Sequence, residues 1–243
     1  KGPAVHSLRV QSDRVKYHTY MKYTLENTPN LYIKQAEVTA VDVENGRVTA
    51  VRTKLGAIHP VKAAIITTGT YLNGKIHIGE LNYSSGPDNL LPSSGLTGCL
   101  KDLGVSMRRF KTGTPARVHK RSIDFSVMEK QSGDEQIMPF AFDNEQELHN
   151  IVDCYVTYTN SETHKVILEN LHRSPLYSGR IEGIGPRYCP SIEDKIVRFK
   201  DKERHQLFVE PMGLDTDEYY LQGMSSSLPE DVQVKFLRTI KGL

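Results

Sequence analysis

The sequence predicts an α/β fold on three observations. Residues 12–27 repeat apolar side chains at every fourth position, which is typical of a helix. Residues 37–43 and 47–53 alternate as strands do, and the tight asparagine-glycine turn between them predicts a hairpin. Residues 62–68 hold a continuous apolar run that ends in a glycine turn. This pattern predicts a buried strand whose glycine turn brings the backbone into contact with a ligand. The simpler alternative is a core strand that is followed by a glycine turn without any ligand.

The other elements of the first half follow in order. Residues 31–35 and 105–110 read as strands. Residues 90–103 predict a short helix around Cys99, whose leucine neighbours indicate a core position. Cys154 lies in a strand-like run, so we expect it to be structural.

The second half continues with helices and one strand. Asn160 is a helix-start residue for a helix that runs to Leu171, and residues 205–210 read as a strand. Ser227, with Glu230 three residues later, predicts a capping box for a terminal helix. Its inward side chains are predicted to be Val232, Phe236, Leu237 and Ile240.

Bulk properties limit the function classes. Charged residues make up 25% and hydrophobic residues 38% of the 243 positions, as in a soluble globular protein. The net charge of +2 neither requires nor excludes nucleic acid, so an RNA contact needs a local basic patch. Three separated cysteines predict neither a disulfide framework nor a zinc site, and we expect no metal site. No apolar run reaches membrane-spanning length and no signal peptide opens the chain, which favours the cytoplasm.

The composition changes near residue 112, where we place a domain boundary. A cluster of basic residues surrounds this position, and an acidic and glutamine-rich stretch follows from 129 to 150. The cluster is a candidate surface for nucleic-acid phosphates, although a solvated face is the commoner role of such a run. Its members are Arg108, Arg109, Lys111, Arg117, His119, Lys120 and Arg121.

Residues 184–195 contain the greatest variety of reactive and charged side chains in the chain. Ser191 is a good N-cap, and Asp194 lies three residues later, where its carboxylate can return to the cap. Cys189 then stands just before a helix N-terminus, with Arg187 and Lys195 as candidate cationic neighbours. Such surroundings lower the pKa of a thiol and make it reactive. The alternative is a structural cysteine in a buried loop.

Several motifs, in order along the whole chain, resemble one family. The run 174–183 leads into 184–199, and together they are similar to the signature of the GidA/MnmG family. This family is the flavin-containing subunit of the tRNA uridine 5-carboxymethylaminomethyl modification enzyme. The further motifs that resemble it are 1–5, 73–79, 111–115, 123–126 and 226–229.

The resemblance implies a partial two-dinucleotide-binding (FAD/NAD) flavoprotein fold with an inserted α/β domain. We expect a partial FAD-binding domain at 1–112, an inserted NAD-binding-like α/β domain at 113–218 and a return segment to the FAD domain at 219–243. The chain starts without Met, and no GxGxxG turn for the FAD pyrophosphate occurs in it. We therefore expect an interior piece of a longer protein, with that turn upstream.

The resemblance also implies site residues. Val38 and Ser93 would contact FAD, although a core valine and a helix cap are their ordinary roles. The stretch assigned to the nicotinamide dinucleotide would contain Gly185, Pro186, Arg187, Tyr188, Cys189, Pro190, Ser191, Ile192, Glu193, Asp194, Lys195, Ile196, Val197, Arg198 and Phe199. An ion-pair network from Arg187 to Glu193 or Asp194 is the alternative reading of that stretch. Cys189 matches a cysteine that the family needs and is the candidate catalytic residue.

The implied function is modification of carbon five of the tRNA wobble uridine with a carboxymethylaminomethyl or aminomethyl group. FAD and NADH supply the redox steps, and methylenetetrahydrofolate is the one-carbon co-substrate. The implied partners are tRNA, a GTPase subunit and a second copy of the intact protein. Met212 replaces a usual Glu. The alternatives are a folate- and FAD-dependent tRNA uracil methyltransferase and a non-catalytic tRNA- or partner-binding module. We expect the piece alone to be inactive.

Overall fold

The computed structural model describes residues 6–181 and 190–243. The described helices are α1 (Arg14–Glu26), α2 (Leu96–Asp102), α3 (Ser161–Glu169), α4 (Ile192–Arg198) and α5 (Glu230–Leu237). The described strands are β1 (Val38–Glu44), β2 (Arg47–Thr53), β3 (Ile58–Pro60), β4 (Lys75–Ile78), β5 (Leu81–Ser84), β6 (Arg117–His119), β7 (Glu129–Gln131), β8 (Cys154–Tyr158), β9 (Gln206–Pro211) and β10 (Glu218–Gln222).

The strands form three sheets. The first has the order β1-β2-β3, the second is the β4-β5 hairpin, and the third has the order β6-β10-β9-β8-β7. All of these pairs are antiparallel. Within the described ranges the only parallel pairing is an isolated bridge between Leu72 and Ser93. Helices and sheets thus occur together, as the predicted α/β class requires.

Two hydrophobic cores organise these elements. In the smaller one, α2 packs on β1 and β2 through Val41, Leu96 and Leu100. The larger one joins the five-stranded sheet to α3, α4 and α5, and it includes residues from 123 to 240. Tyr219 of β10 and Phe236 of α5 belong to this larger core. The predicted division at residue 218 therefore does not coincide with a division between the cores.

Arg173 connects the β4-β5 hairpin to α5. Its guanidinium donates to both carboxylate oxygens of Asp231, at 2.9 and 3.0 Å, and to Glu80 at 3.1 Å. Gly79 makes the hairpin turn with a φ of +55°, where a Cβ would overlap the ring of Pro229. The hairpin is therefore held against the segment that leads into α5.

Local signals predicted several elements correctly. Helix α1 begins after Asp13, whose carboxylate accepts the Lys16 N–H at 2.9 Å, and the β1-β2 hairpin has the predicted turn. Asn160 caps α3 through a capping box with Thr163. The inward positions of α5 are also confirmed, since Val232 and Phe236 are buried.

Predictions that depended on neighbouring strands were wrong. Residues 62–68 form no strand, and the Ile65 side chain is 90% exposed. Residues 31–35 and 105–110 also contain no strand. Each run contains apolar or β-branched residues, but apart from an isolated bridge at Phe110 no strand pairing is described for them, and an unpaired strand leaves its backbone hydrogen bonds unmade. Helix α1 likewise buries none of its side chains.

The predicted capping box of α5 was wrong as well. Pro229 occupies the N-cap position and no side chain caps this helix. The backbone N–H of Ser227 donates to Glu193, and the neighbouring Ser226 hydroxyl accepts the Leu228 N–H at 3.1 Å. Ser226 and Ser227 therefore form hydrogen bonds within their own turn and with α4, and neither caps α5.

Candidate functional site

The predicted capping box at the start of α4 is confirmed. The Ser191 hydroxyl accepts the Asp194 N–H at 3.2 Å, and the Asp194 carboxylate accepts the Ser191 N–H at 3.3 Å. The Ile192 N–H donates to the Ser225 carbonyl at 2.8 Å. The cap and the neighbouring strand connection thus use the backbone donors at the start of α4.

Asp194 is the centre of a polar cluster at this helix start. The Lys111 ammonium lies 3.7 Å from its carboxylate, and the two side chains are only 9% and 13% exposed. The Tyr177 hydroxyl lies 3.5 Å away as a donor, and the Arg198 guanidinium 3.9 Å away. Burial, followed by the negative charge of Asp194, raises the pKa of Tyr177 to about 12. Tyr177 therefore remains a neutral donor at physiological pH.

Glu193 faces away from this cluster and is fully buried. One carboxyl oxygen accepts the Ser226 hydroxyl at 3.0 Å and the Ser227 N–H at 3.2 Å. Burial raises the pKa of Glu193, and these hydrogen bonds oppose the shift only in part. Ser227 also connects α4 to the β4-β5 hairpin, because its carbonyl accepts the Gly79 N–H at 2.7 Å.

Three of the sequence motifs thus contact α4, and a fourth is joined to it through Ser227. Lys111 comes from the 111–115 motif, Tyr177 from the 174–183 motif, Ser226 from the 226–229 motif and Gly79 from the 73–79 motif. The sequence analysis placed Lys111 in a basic surface and missed its role in this cluster. Lys111 belongs to the 111–115 motif, and this membership distinguishes it from the other basic residues.

Acidic side chains lie beside part of the rest of the predicted basic surface. The Arg117 guanidinium pairs with Glu218 at 3.3 Å and lies 4.6 Å from the centre of the Tyr220 ring. His119 and Arg121 both lie within 4.0 Å of the Asp217 carboxylate. Because β6 pairs with β10, the acidic residues of β10 and its preceding turn stand beside these bases. Arg117, His119 and Arg121 of the predicted surface therefore have acidic neighbours, which reduces the positive charge of that part.

The candidate nicotinamide stretch is described only from residue 190 onward. Gly185, Pro186, Arg187, Tyr188 and Cys189 lie outside the described residues, so the predictions for the reactive thiol and for an Arg187 ion pair have no structural account. The described side chains divide into two groups. Those turned into the core are Ser191, Ile192, Glu193 and Ile196, and those at least partly exposed are Pro190, Asp194, Lys195, Val197, Arg198 and Phe199.

The two candidate FAD residues lie in adjoining segments. Val38 opens β1, and Ser93 bridges to Leu72 shortly before α2. Between them, the Glu37 carboxylate accepts the Ser94 N–H at 3.2 Å. A hydrogen bond from Lys54 is the main cause that lowers the pKa of Glu37, which keeps this carboxylate ionised. The sequence contains no GxGxxG turn for a pyrophosphate.

An open groove of about 1140 Å³ lies elsewhere, beside β8 and α3. The Arg204 guanidinium stacks 4.1 Å from the centre of the Tyr158 ring in its wall. Five basic and four acidic side chains line it, so its charge does not select a polyanion. No predicted site residue lines this groove. Across residues 6–181 and 190–243, no helix combines the length and the apolar composition needed to cross a membrane.

Comparison with known proteins identifies the family. The family model for glucose inhibited division protein A matches residues 1–243. Proteins from Caldicellulosiruptor saccharolyticus and Clostridium botulinum, both named tRNA uridine 5-carboxymethylaminomethyl modification enzyme MnmG, are 60% and 59% identical over all 243 residues. The chain spans 39% of the length of each.

The fold comparison agrees. The crystal structure of GidA from Aquifex aeolicus superimposes with a TM-score of 0.91 at 50% identity, and the alignment covers 100% of this chain and 42% of that one. A second crystal form of the same protein gives a TM-score of 0.90. The predicted α/β class is thereby confirmed, and the chain belongs to the family of glucose inhibited division protein A.

Proposed function

We propose that the full-length protein containing this chain modifies carbon five of the wobble uridine in tRNA with a carboxymethylaminomethyl or aminomethyl group. The observation that carries this proposal is the 60% identity, along the entire chain, to a protein named for that modification. Three family motifs contact the start of α4, which supports the proposal because segments that resemble the family are brought together by the fold.

Cys189 is the proposed catalytic residue. Its thiolate would add to the uracil ring, so that a bond forms between sulfur and one ring carbon and the neighbouring carbon becomes nucleophilic. After group transfer, removal of the proton from carbon five and loss of the thiolate restore the ring. Arg187 and Lys195 are the proposed cationic neighbours of this thiol, because nearby cations favour a thiolate over a thiol.

Cofactors belong to the same proposal. FAD, when bound, supplies redox chemistry with NADH as reductant, and methylenetetrahydrofolate supplies the one-carbon unit. Within this chain, Val38 and Ser93 would border the FAD site. The exposed side of α4 would contribute to nicotinamide dinucleotide binding, together with residues 185–189. The partner subunit is proposed to be a GTPase, and the working form a homodimer in the cytoplasm.

A complementation experiment tests the function. Bacteria that lack their own enzyme would receive the full-length gene, and the nucleosides of their tRNA would be measured by mass spectrometry. We expect carboxymethylaminomethyl- or aminomethyl-uridine to return at the wobble position. A gain of 5-methyluridine would instead identify a folate-dependent uracil methyltransferase. Unchanged nucleosides, with the protein expressed and bound to tRNA, would identify a binding module.

The 243-residue chain alone is proposed to be inactive. It lacks the glycine turn that holds a dinucleotide pyrophosphate on a helix N-terminus. The purified chain should therefore be colourless and should not catalyse flavin reduction by NADH. A yellow preparation that retains flavin through gel filtration would contradict this expectation.

A further inference from the structure

Glu193 combines complete burial with an incomplete set of partners. One of its carboxyl oxygens accepts two hydrogen bonds, from the Ser226 hydroxyl and the Ser227 N–H. The other oxygen, Oε2, is buried and has no hydrogen-bond partner. No ion pair to Glu193 occurs within the described ranges. An ionised carboxylate in this position would be a buried and uncompensated charge, which is among the most costly groups in a protein interior.

The charged groups around Glu193 do not relieve this cost. On α4 itself, Asp194 is engaged by Lys111, while the Lys195 ammonium donates to the Gly223 carbonyl at 3.0 Å. The Tyr177 phenol stands close enough for the charge of Glu193 to raise its pKa. Among the described residues, the groups that hydrogen-bond to the Glu193 carboxyl are the hydroxyls of Ser226 and Ser191 and backbone N–H groups. The neutral acid, with its proton on Oε2, avoids the buried charge and keeps both hydrogen bonds to the other oxygen.

We propose that Glu193 is a neutral carboxylic acid in the folded protein and acts as a positioning residue for the start of α4. In this role its hydrogen bonds to Ser226 and Ser227 hold the 226–229 motif against α4. The hydrogen bond between the Ser227 carbonyl and the Gly79 N–H then holds the hairpin turn in place. Ionisation of Glu193 would weaken the packing of α4 against the 226–229 motif, and this packing positions the Ser191 cap. This inference goes beyond the proposed function, and its first test does not depend on catalysis.

Infrared spectroscopy of the full-length protein tests the protonation state. Glutamate labelled at its side-chain carboxyl carbon shifts its own bands, and the difference between wild type and Glu193→Gln isolates the signal of Glu193. We expect that difference at neutral pH to contain the C=O stretch of a protonated acid. Glu37→Gln is the matched control, because the pKa of Glu37 is lowered, and its difference spectrum should contain only carboxylate bands. A carboxylate signal from Glu193 overturns the proposal.

Thermal unfolding gives the second readout. Because the folded pKa is raised, the contribution of Glu193 to stability is complete below its unfolded pKa of about 4.3 and is lost as the pH rises through its folded pKa. The Tm of wild type should therefore fall relative to that of Glu193→Gln as the pH rises above about 4.3. The glutamine variant should fold, whereas Glu193→Ala should not fold.

The experiments distinguish failure of the inference about Glu193 from failure of the proposed function. Failure of Glu193→Gln to fold, or a Tm difference that moves in the opposite direction with pH, overturns the neutral acid. If the wild-type protein modifies no uridine while the infrared and unfolding results hold, the proposed function fails and the inference about Glu193 stands.

Discussion

The ammonium of Lys111 and the carboxylate of Asp194 lie 3.7 Å apart, in surroundings that leave both side chains less than one-sixth exposed. Lys111 follows the smaller core in the chain, and Asp194 belongs to the first turn of α4. The pair is therefore a long-range contact between the residue where the composition of the chain changes and the helix that carries the family signature.

Lys111→Met should destabilise the chain by ~1–3 kcal/mol, because Asp194 would keep a nearly buried negative charge with one cation fewer. Chemical denaturation, followed by circular dichroism, measures the free energy of unfolding. Lys16→Met is the matched control. Lys16 pairs with Asp215 at 3.3 Å, but both side chains are more than half exposed, so the loss should stay below ~1 kcal/mol. Equal losses in the two variants would show that the Lys111 pair is not buried in solution.

Gly79→Ala should destabilise the chain by ~1–3 kcal/mol, since the residue has a positive φ and a methyl group would overlap Pro229. Gly98→Ala makes the same chemical change in α2, where nothing lies within 4 Å of the new Cβ. That variant should gain ~0.5–1 kcal/mol from better helix propensity. Opposite signs in the two unfolding measurements are the expected result, and a neutral Gly79→Ala would contradict the close packing of the hairpin turn.

Two histidines should make stability depend on pH. His164 and His205 have ring centres 5.4 Å apart, and burial lowers the pKa of each. Their contribution is complete above the unfolded pKa of about 6.5 and is lost as the pH falls through their folded pKa values. The Tm of wild type should fall on acidification below about pH 6.5, and it should fall less in His164→Gln/His205→Gln. An unchanged slope in the double variant would refute the assignment.

Cys189→Ser in the full-length protein should abolish or strongly reduce wobble modification while FAD remains bound. The change removes a nucleophile and little volume. Nucleoside mass spectrometry and the flavin absorbance of the purified protein measure the two effects. Cys154→Ser is the control, because Cys154 is a half-buried residue of β8 and burial is the main cause that raises the pKa of its thiol. Full activity in Cys189→Ser, or release of its flavin, would make Cys189 a structural residue.

Contacts between near neighbours in the sequence were the predictable part of this molecule. The Ser191–Asp194 capping box and the β1-β2 hairpin depend on a few adjacent residues, and both were foreseen. The burial of Glu193 and the pairing of Lys111 with Asp194 join distant segments, and a single sequence does not encode such pairings in any periodic pattern. The same reason explains the missed β4-β5 hairpin, whose turn residue Gly79 is fixed by contact with Pro229.

The uncovered run at residues 62–68 has a practical consequence for handling the chain. Four consecutive apolar residues are followed by two threonines, and the Ile65 and Ile66 side chains are 90% and 45% exposed. A run of this kind, uncharged from residue 63 to 68 and β-branched from 65 to 68, is a template on which another molecule can add a strand. The isolated chain should therefore aggregate as its concentration rises. A charged residue in place of Ile65 should delay the turbidity without altering either core, because Ile65 belongs to neither.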